Sequence, residues 1–450
     1  MTTNPQENTN KDVRRMVLKA LTKVETGGYS NLVLGDALGG EQFNKRDGAF
    51  AAALFYGVIE RRLTLDHIIK GRSRLPLEKL DKSVLGILRM GLYQLLYMGS
   101  VPDSAAVNES VLLCKATGKT SASGFVNAVL RGFIRDGKPL NLPDNNNLPL
   151  RLSVEYSCPL PLVRLFLKRF GQEAAKGLLE KSVGTPPLYA RVNTARISCE
   201  ALVARLAEEG VQAVPHEVIP DCISLYHTGN LEKLRAFEEG LFHIQDGSSQ
   251  LCAFALNALK GMTMLDLCAA PGGKSFTVAE QLQGSGSVLS FDQYDFKASL
   301  IQKGAERLGL TNIKAAVGDA TIYNPELPSA DRVLCDVPCS GLGILRRKPE
   351  IKYKPLDSFG SLHDIQFAIL QNGARYLKPG GVLIYSTCTL RREENEDIAQ
   401  EFLCHNPTFA PMPLPELLKP CISVQPNMAV ILPQHFDTDG FFIAAFTRTQ

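Results

Sequence analysis

Two cysteines lie where a thiol can act as a nucleophile. Cys339 is in the segment DVPCSG and Cys388 is in YSTCT, and each follows a short apolar stretch typical of a buried β-strand. A thiolate is both a good nucleophile and a good leaving group, so it suits covalent catalysis. Because a cysteine just past a strand, beside Pro or Thr, is exposed enough to react, we predict a reactive role for this pair. Cys268 and Cys335 are instead predicted to be small buried hydrophobic residues.

A glycine-containing loop, CAAPGGKS, follows the first of the apolar stretches. Its two glycines let the backbone approach a ligand closely, and a helix is predicted to begin near its lysine. The loop matches neither the phosphate loop, GxxxxGK followed by Ser or Thr, nor the dinucleotide fingerprint GxGxxG. An ordinary tight turn is one interpretation. The other is a loop that holds a nucleoside ligand, formed by Cys268, Ala269, Ala270, Pro271, Gly272, Gly273 and Lys274.

Three aspartates follow three further apolar stretches. Asp266 lies in the first apolar stretch, and Asp292 ends the second. A carboxylate at the end of the second strand can accept hydrogen bonds from both hydroxyls of a ribose. Asp319, in GDAT, is placed to accept a hydrogen bond from an adenine amine, and Asp336 lies just before Cys339. Each aspartate alone is a common cap or turn residue. Together with the loop they predict a site for a nucleoside without a phosphate clamp, which suits S-adenosylmethionine (SAM).

These residue types favour methyl transfer to carbon 5 of a pyrimidine. That carbon is a poor nucleophile until a thiolate adds at carbon 6, after which it can attack the methyl group of SAM. The C5 proton then leaves and the thiol is eliminated. Asp336 is predicted to neutralise charge at cytosine N3, either protonated itself or sharing a proton with the base. The sequence has no CxxC pair and no clustered histidines, so no metal site is predicted.

A basic segment, ILRRKPEIKYK at 344–354, follows the Cys339 motif and holds five Lys and Arg residues against one Glu. We predict that Arg346, Arg347 and Lys348 contact the phosphates of an RNA backbone, because such contacts supply much of the affinity for nucleic acid. A solvated charged loop is the alternative interpretation.

The elements that must position these residues are strands alternating with helices, which begin at about residue 241. Candidate strands are 262–267, 287–292, 313–318, 332–337 and 381–386. Their spacing predicts a doubly wound sheet of parallel strands, whose ligands lie at the carboxyl ends of the strands. The stretches 428–433 and 440–446 have no predicted helix between them, so the sheet is predicted to end in an antiparallel hairpin.

The part of the chain before residue 241 has a different pattern. Residues 11–136 are predicted to be helical throughout, because apolar residues recur at three- and four-residue spacing. The Pro- and Asn-rich stretch 137–149 has the composition of a linker. Residues 150–240 mix helix and strand, and Pro159 is predicted to open a helix that Gly171 ends.

Composition excludes several classes of protein. The chain of 450 residues is 45% hydrophobic and 21% charged, which indicates a folded protein of about two to four domains. The sequence has no apolar run of about 18 residues and no N-terminal apolar signal core, so we expect a cytoplasmic protein without a membrane partner. Eleven cysteines, an odd number, favour reduced thiols. Residues 1–150 carry 20 Lys and Arg against 14 Asp and Glu, a balance compatible with nucleic-acid binding.

Several segments are similar to the motifs of a known family. Six segments of the chain resemble the motif series of the Fmu/Sun (Nol1/Nop2) RNA cytosine-5 methyltransferases. They are LDLCAAPGGKS, FDQYDFK, GDAT, DVPCSGLGILRRKPEIKY, YSTCTLRREENE and HFDTDGFF. Four segments nearer the N-terminus resemble parts of the antitermination factor NusB. They are LFYGVIERRLTLDHII, LRMGLYQLLYM, VPDSAAVNESV and GFVNAVLRGF. The segment YARVNT at 189–194 resembles the start of the small RNA-binding subdomain of the same methyltransferase family.

The resemblance implies a role for each residue of the site. Cys388 is the nucleophile, Cys339 assists release of the product, and Asp336 is shared between the cofactor and the base. SAM contacts fall in the glycine-containing loop and at the three aspartates named above.

The resemblance also implies a multidomain fold. It consists of an all-α NusB-like RNA-binding domain at 1–140, a small α+β RNA-recognition subdomain at 150–240 and an α/β Rossmann-like SAM-dependent methyltransferase domain at 241–450. The last has a mostly parallel seven-stranded sheet that ends in an antiparallel hairpin. The implied activity is methylation at carbon 5 of a cytosine in 16S rRNA, at position 967, before the 30S subunit is fully assembled, by a monomer.

Three other functions are compatible with parts of the pattern. One is cytosine-5 methylation of a tRNA or of another rRNA site. Another is a non-catalytic NusB-like RNA-binding scaffold, which the presence of both cysteines and of the acidic residues disfavours. A cytosine-5 DNA methyltransferase would share the chemistry, but it typically uses the Pro-Cys thiol as its nucleophile, and it would not explain the NusB-like segments.

Overall fold

The computed structural model describes residues 5–39 and 43–450. Its internal contacts divide the chain into two compact units. The helical unit consists of Met1–Gly184 and Leu345–Lys354, and the sheet unit of Thr185–Ile344 and Pro355–Gln450. The chain therefore leaves the sheet unit after Ile344, contributes ten residues to the helical unit, and returns at Pro355.

The helical unit contains nine α-helices among its described residues. They are α1 (Pro5–Glu25), α2 (Ser30–Gly39), α3 (Lys45–Glu60), α4 (Arg62–Lys70), α5 (Lys82–Tyr97), α6 (Asp103–Ala116), α7 (Ser123–Arg135), α8 (Leu148–Glu155) and α9 (Leu160–Lys181). Helix over 11–136 is confirmed, although loops divide it into seven helices and residues 40–42 lie outside the described residues. Gly171, which was predicted to end the helix that Pro159 opens, is non-helical (φ 77°, ψ 175°), but helix resumes directly after it and continues to Lys181 within α9.

Helix α5 shows why this part of the sequence folds as it does. Its N-cap Asp81 accepts hydrogen bonds from the backbone N–H groups of Ser83 and Val84, which satisfies donors that a helix start leaves free. Val84 and Leu88, four residues apart, are both buried in the core of the helical unit. The apolar periodicity read from the sequence is therefore the face that packs inward.

The sheet unit begins with a small antiparallel sheet. Its strands are β1 (Tyr189–Val192), β2 (Gln212–Pro215), β3 (Cys222–Tyr226) and β4 (Phe242–Ile244), in the order β2-β3-β1-β4, accompanied by α10 (Cys199–Glu208) and α11 (Arg235–Glu238). This confirms the α+β character of the segment and its predicted strand at 189–194. The buried amide of Asn193 donates to the carbonyl oxygen of Leu308, 2.9 Å away, which joins this small sheet to the rest of the unit.

The rest of the sheet unit is built on a large sheet with helices between its strands. The strands are β5 (Thr263–Asp266), β6 (Ser287–Asp292), β7 (Ile313–Val317), β8 (Ala330–Asp336), β9 (Leu377–Thr387), β10 (Phe409–Pro411), β11 (Ile422–Gln425), β12 (Met428–Ile431) and β13 (Phe441–Arg448). The helices are α12 (Gly247–Ala255), α13 (Gly273–Gln281), α14 (Asp295–Leu308), α15 (Leu362–Arg375), α16 (Glu396–His405) and α17 (Pro433–Phe436).

The strand order of the large sheet is β11-β12-β13-β9-β8-β5-β6-β7, with β10 paired to β13. Strands β9, β8, β5, β6 and β7 are parallel, whereas β13 and β12 are antiparallel to their neighbours. The Rossmann-like class and the antiparallel end are confirmed. The sheet has nine strands rather than seven, because the short β10 and β11 extend it. The stretch between β12 and β13 also contains the four-residue helix α17, where no helix was predicted.

Two further observations concern the described residues as a set. None of their helices has the length and apolar character needed to cross a bilayer. No group of three or more His, Cys, Asp and Glu side chains among them is arranged to hold a metal ion.

Candidate active site

The carboxyl ends of the parallel strands bring the predicted residues to one edge of the large sheet. Asp266, Asp292 and Asp336 are the last residues of β5, β6 and β8, and Cys388 follows the last residue of β9. The register pairs Asp336 with Ser386, two residues before Cys388. Strand order reverses at β5, which has β6 on one side and β8 on the other. Such a switch point leaves a crevice for a ligand.

A cavity of about 550 Å³ lies at this edge. Cys268, Asp292 and Asp319 line it. Sequence reasoning missed several further lining residues, among them Tyr294 and Lys297, although both follow Asp292 in the same motif. Cys268 was interpreted as a buried hydrophobic residue, but it is half-buried and contributes to the wall.

The loop between β5 and α13 has a geometry that needs one of its two glycines, Gly272. Gly272 has φ 111°, and a Cβ there would lie 2.3 Å from the ring of Phe276. The backbone N–H of Gly272 donates to the carbonyl oxygen of Ala269, and the peptide bond before Pro271 is cis. The close turn brings the chain from β5 to the start of α13 at Gly273. The backbone therefore passes close to the strand ends, and of residues 268–274 Cys268 lines the cavity.

Buried polar side chains anchor this loop to the sheet. The hydroxyl of Ser275 donates to a carboxylate oxygen of Asp266 at 2.7 Å, and the hydroxyl of Ser290 donates to that of Ser275 at 2.8 Å. Burial raises the pKa of Asp266 to about 7. Asp266 is thus a structural support beneath the loop, 1% exposed, rather than a wall of the cavity.

Asp292 and Asp319 both line the cavity but differ in burial and in the partners of their carboxylates. Asp292 is buried, and one of its oxygens lies 3.2 Å from the ammonium of Lys297. Asp319 is exposed, and one of its oxygens accepts hydrogen bonds from the hydroxyl and the backbone N–H of Thr321. Those two bonds lower the pKa of Asp319. Each carboxylate has a second oxygen to offer a ligand in the cavity.

Asp336 and Lys274 form a partly buried ion pair. The Lys274 ammonium donates to one oxygen of Asp336 at 2.6 Å, and the hydroxyl of Ser386 donates to the other at 2.7 Å. Burial alone would lower the pKa of Lys274, but the negative charge and hydrogen bond of Asp336 outweigh it and raise that pKa. The Lys274 ammonium is therefore charged at neutral pH, and it stands at the end of β8.

The two predicted thiols lie next to each other. The sulfur atoms of Cys339 and Cys388 are 3.3 Å apart. The pKa of Cys339 is raised well above its ordinary value, by its hydrogen bond to the Cys388 sulfur and by burial. The segment that follows β8 and the segment that follows β9 are also joined directly. The hydroxyls of Ser340 and Thr389 are 2.7 Å apart, and the N–H of Gly343 donates to the carbonyl oxygen of Cys388. One thiol thus keeps a proton that it can offer to the other.

The basic segment predicted to contact RNA is divided between two environments. Arg346 and Arg347 are half-buried, and Lys348 is exposed. Farther along, Lys352 is only 4% exposed within the helical unit, where its ammonium donates to the carbonyl oxygen of Glu60 at 2.6 Å. Burial lowers the pKa of Lys352 to about 8.

The next residue, Tyr353, is held in the same way. Its hydroxyl donates to the carbonyl oxygen of Ile59 at 2.9 Å, and the guanidinium of Arg62 lies 3.6 Å above its ring. A uniformly solvated loop is therefore wrong for the second half of the segment.

Family models match three parts of the chain. The description "16S rRNA methyltransferase RsmB/F" matches residues 253–447, and "NusB family" matches residues 11–135. A ferredoxin-like domain of the "Methyltr_RsmF/B-like" kind matches residues 159–232. The three models cover the helical N-terminal part, the small α+β part and the large-sheet part in turn.

Relatives match nearly the whole chain. A probable ribosomal RNA small subunit methyltransferase B of Bacillus subtilis (strain 168) is 37% identical, over 97% of this chain and 98% of that protein. The ribosomal RNA small subunit methyltransferase B of Escherichia coli O1:K1 / APEC is 31% identical, over 97% and 99%. A crystal structure of NSun6 from Pyrococcus horikoshii with the SAM analogue SFG is similar in fold (TM-score 0.58, 22% identity), covering 65% of this chain and 98% of that one. The chain therefore belongs to the ribosomal RNA small subunit methyltransferase B family of SAM-dependent RNA methyltransferases.

Proposed function

We propose that this enzyme methylates carbon 5 of a cytosine in 16S rRNA, at position 967, through a covalent bond between Cys388 and carbon 6 of the base. The observation that carries the proposal is the pair of sulfur atoms 3.3 Å apart, at the same strand ends as the Asp336–Lys274 ion pair. A thiolate for addition, a second thiol and a proton donor are the groups that this chemistry needs.

The cofactor is SAM, which supplies an electrophilic methyl group when bound. The residues at the cavity fit it. We propose that Asp292 accepts hydrogen bonds from the ribose hydroxyls, that Asp319 accepts one from the adenine amine, and that residues 268–274 enclose the ligand on the loop side. A cavity lined by Tyr294, Asp292 and Asp319 suits a nucleoside whose charge lies in its amino acid part rather than in a phosphate.

Lys274 is the better candidate for the proton that cytosine N3 requires. Both oxygens of Asp336 already accept hydrogen bonds, from Lys274 and Ser386. We therefore modify the assignment made from the sequence. Asp336 orients the base and holds the ammonium, and the Lys274 ammonium donates to N3 as Cys388 adds to carbon 6.

Release of the product gives Cys339 its role. Elimination breaks the bond between carbon 6 and the sulfur of Cys388 and returns its electron pair to that sulfur. The C5 proton passes to a water molecule, and the C5–H electron pair restores the C5–C6 double bond. The protonated Cys339 can donate a hydrogen bond to the departing sulfur, because its pKa is raised and it lies 3.3 Å away. A stabilised thiolate is a better leaving group.

The remaining features of the substrate and of its setting are proposals from the resemblance. We propose that the RNA is bound before the 30S subunit is complete, by the NusB-like segment 1–140, the subdomain at 150–240, and Arg346, Arg347 and Lys348. The catalytic domain is 241–450. The enzyme acts as a monomer in the cytoplasm without a metal ion.

Sequencing of bisulfite-treated 16S rRNA tests the target. We expect cytosine 967 to resist conversion in a wild-type strain, to be converted in a strain lacking this gene, and to regain resistance with the wild-type gene but not with Cys388→Ala. Loss of protection at a different rRNA position or in a tRNA, with 967 unchanged, would replace the proposed target by one of the alternatives. Unchanged protection at every cytosine would favour the non-catalytic scaffold.

Removal of the Asp292 carboxylate tests the cofactor site. Hydrogen bonds to a charged group contribute about 1.5–3 kcal/mol each, so Asp292→Ala should weaken SAM binding by about 10- to 100-fold. Isothermal titration calorimetry measures the affinity. Asp295→Ala is the matched control, because Asp295 is an exposed residue of the same motif outside the cavity lining. Equal affinity in the two folded variants would remove Asp292 from the site.

A further inference from the structure

Glu394 is a buried carboxylate beside the Cys339 loop that the chemistry proposed above does not use. It is 2% exposed and ends a short helical turn, Arg392–Glu394, that follows the Cys388 segment. One of its oxygens accepts a hydrogen bond from the backbone N–H of Ser340 at 2.8 Å. A charge this deeply buried is costly unless it is well bonded, so its position calls for a function.

Gln366, from α15, completes the hold on the same loop. Its side-chain amide donates both to the Glu394 carboxylate at 3.1 Å and to the carbonyl oxygen of Pro338 at 2.9 Å. Gln366 is fully buried. The residues on either side of Cys339 are thus fixed, Pro338 through its carbonyl and Ser340 through its N–H. The position of the Cys339 sulfur follows from these two bonds.

Charge is the second contribution of Glu394. The titratable groups that face Cys339 are Cys388, Glu394 and Tyr385, and the negative charge of Glu394 adds to the rise in the pKa of Cys339. Arg391 offsets this charge only in part, since its guanidinium is 3.7 Å from the Glu394 carboxylate. The hydroxyl of Tyr385 donates to the backbone carbonyl of Glu394, which fixes the turn itself.

We propose that Glu394, together with Gln366, is a positioning residue for product release. It holds the Cys339 sulfur against the Cys388 sulfur and keeps Cys339 in its protonated form, so that this thiol stabilises the departing thiolate. The inference rests on the proposed function, because release of a covalent bond to Cys388 is the step that it serves. In that step the electron pair of the C6–S bond goes to the Cys388 sulfur, the C5–H electron pair forms the C5–C6 double bond, the C5 proton passes to water, and the proton of Cys339 stays on Cys339.

The first test needs no RNA. Glu394→Gln keeps an oxygen that can accept from Ser340 but removes the charge, and loss of a neighbouring negative charge lowers a thiol pKa, which enlarges the thiolate fraction. We expect Cys339 to be alkylated by iodoacetamide about tenfold faster at pH 8, as read by peptide mass spectrometry at low extents of labelling. Glu393→Gln, an exposed neighbour in the same turn, should leave the rate unchanged. Equal rates in the two variants would overturn the electrostatic part of the proposal.

The second test follows the release step. Glu394→Ala should accumulate a protein–RNA adduct that survives denaturing electrophoresis, as Cys339→Ala should, while its SAM affinity stays that of the wild type. Glu394→Gln should accumulate less, because the conservative change keeps the acceptor for Ser340. Should Glu394→Ala fail to fold, the adduct level of Glu394→Gln against Glu393→Gln decides.

The outcomes separate this inference from the function on which it rests. An adduct in Cys339→Ala but wild-type release in the folded Glu394 variants overturns the role of Glu394 and leaves the proposed function intact. Active wild-type enzyme with no adduct in Cys339→Ala or in the Glu394 variants contradicts the release role for both residues. Bisulfite protection of the target then still reports on the proposed function by itself.

Discussion

The Cys388→Ala enzyme should show no methylation and no covalent complex with RNA, whereas Cys339→Ala should trap one. If Cys388 is the nucleophile, its removal prevents addition to carbon 6, so carbon 5 never becomes nucleophilic. Without the Cys339 thiol, addition and methylation proceed, but the Cys388 sulfur departs without the hydrogen bond of a neighbour 3.3 Å away. This pair of variants therefore gives opposite results on one denaturing gel.

The gel compares each variant after incubation with SAM and an RNA fragment that contains the target cytosine. Cys335→Ala is the matched control, since Cys335 is fully buried within β8 and takes no part in the proposed chemistry. A trapped complex in Cys388→Ala and none in Cys339→Ala would reverse the roles and make the Pro-Cys thiol the nucleophile. Absence of a complex in both variants, with an active wild type, would contradict the covalent mechanism.

The Lys274→Met enzyme should lose about 100-fold or more in kcat, because removal of one donor that stabilises charge developing in the transition state costs about 10²- to 10³-fold. Methionine keeps much of the length of the side chain but can donate no proton to cytosine N3. It also leaves Asp336 with Ser386 as its donor. Single-turnover methylation of the RNA, at saturating SAM, measures the effect on the chemical step.

Two comparisons give this result its meaning. Lys297→Met, which removes an ammonium that lines the cavity, should act mainly on SAM affinity, because Lys297 pairs with Asp292. Lys274→Arg should recover part of the rate, since it restores a positive donor with a different shape. A rate for Lys274→Met within threefold of the wild type, in a folded protein that binds SAM, would show that a group other than Lys274 is the donor to cytosine N3.

Sequence reasoning located the strand ends because one physical rule governs them. Parallel strands bring their carboxyl ends to the same edge, so a residue that directly follows an apolar stretch is expected there. Asp292, Asp336 and Cys388 could be placed in this way before any coordinates. The fold class followed from the same alternation of strand and helix.

Pairwise contacts could not be read in the same manner. Lys274 was assigned to a glycine-containing loop and Asp336 to the end of another strand, and only the three-dimensional structure shows their atoms 2.6 Å apart. Glu394 was hidden for the same reason, since one Glu in a run of charged residues resembles a solvated helix start. The short strands β10 and β11 were missed because three or four residues carry too little periodicity to be distinguished from a loop.

The basic segment shows how charge alone misleads. Five Lys and Arg residues within 344–354 predict a surface loop, and the exposed Lys348 agrees with that. Lys352 is instead buried against the carbonyl oxygen of Glu60, and sequence gives no sign of it because the partner is a backbone atom 292 positions away.

The excursion of residues Leu345–Lys354 into the helical unit makes the two units inseparable as genetic modules. No single cut in the gene yields both units complete, because residues Leu345–Lys354 of the helical unit are encoded between two segments of the sheet unit. A product ending at Gly184 would lack the chain that occupies the site of Lys352 and Tyr353, and a product starting at Thr185 would carry those side chains without their partners. Recombination that exchanged one unit between relatives would have to bring the matching ten residues with it.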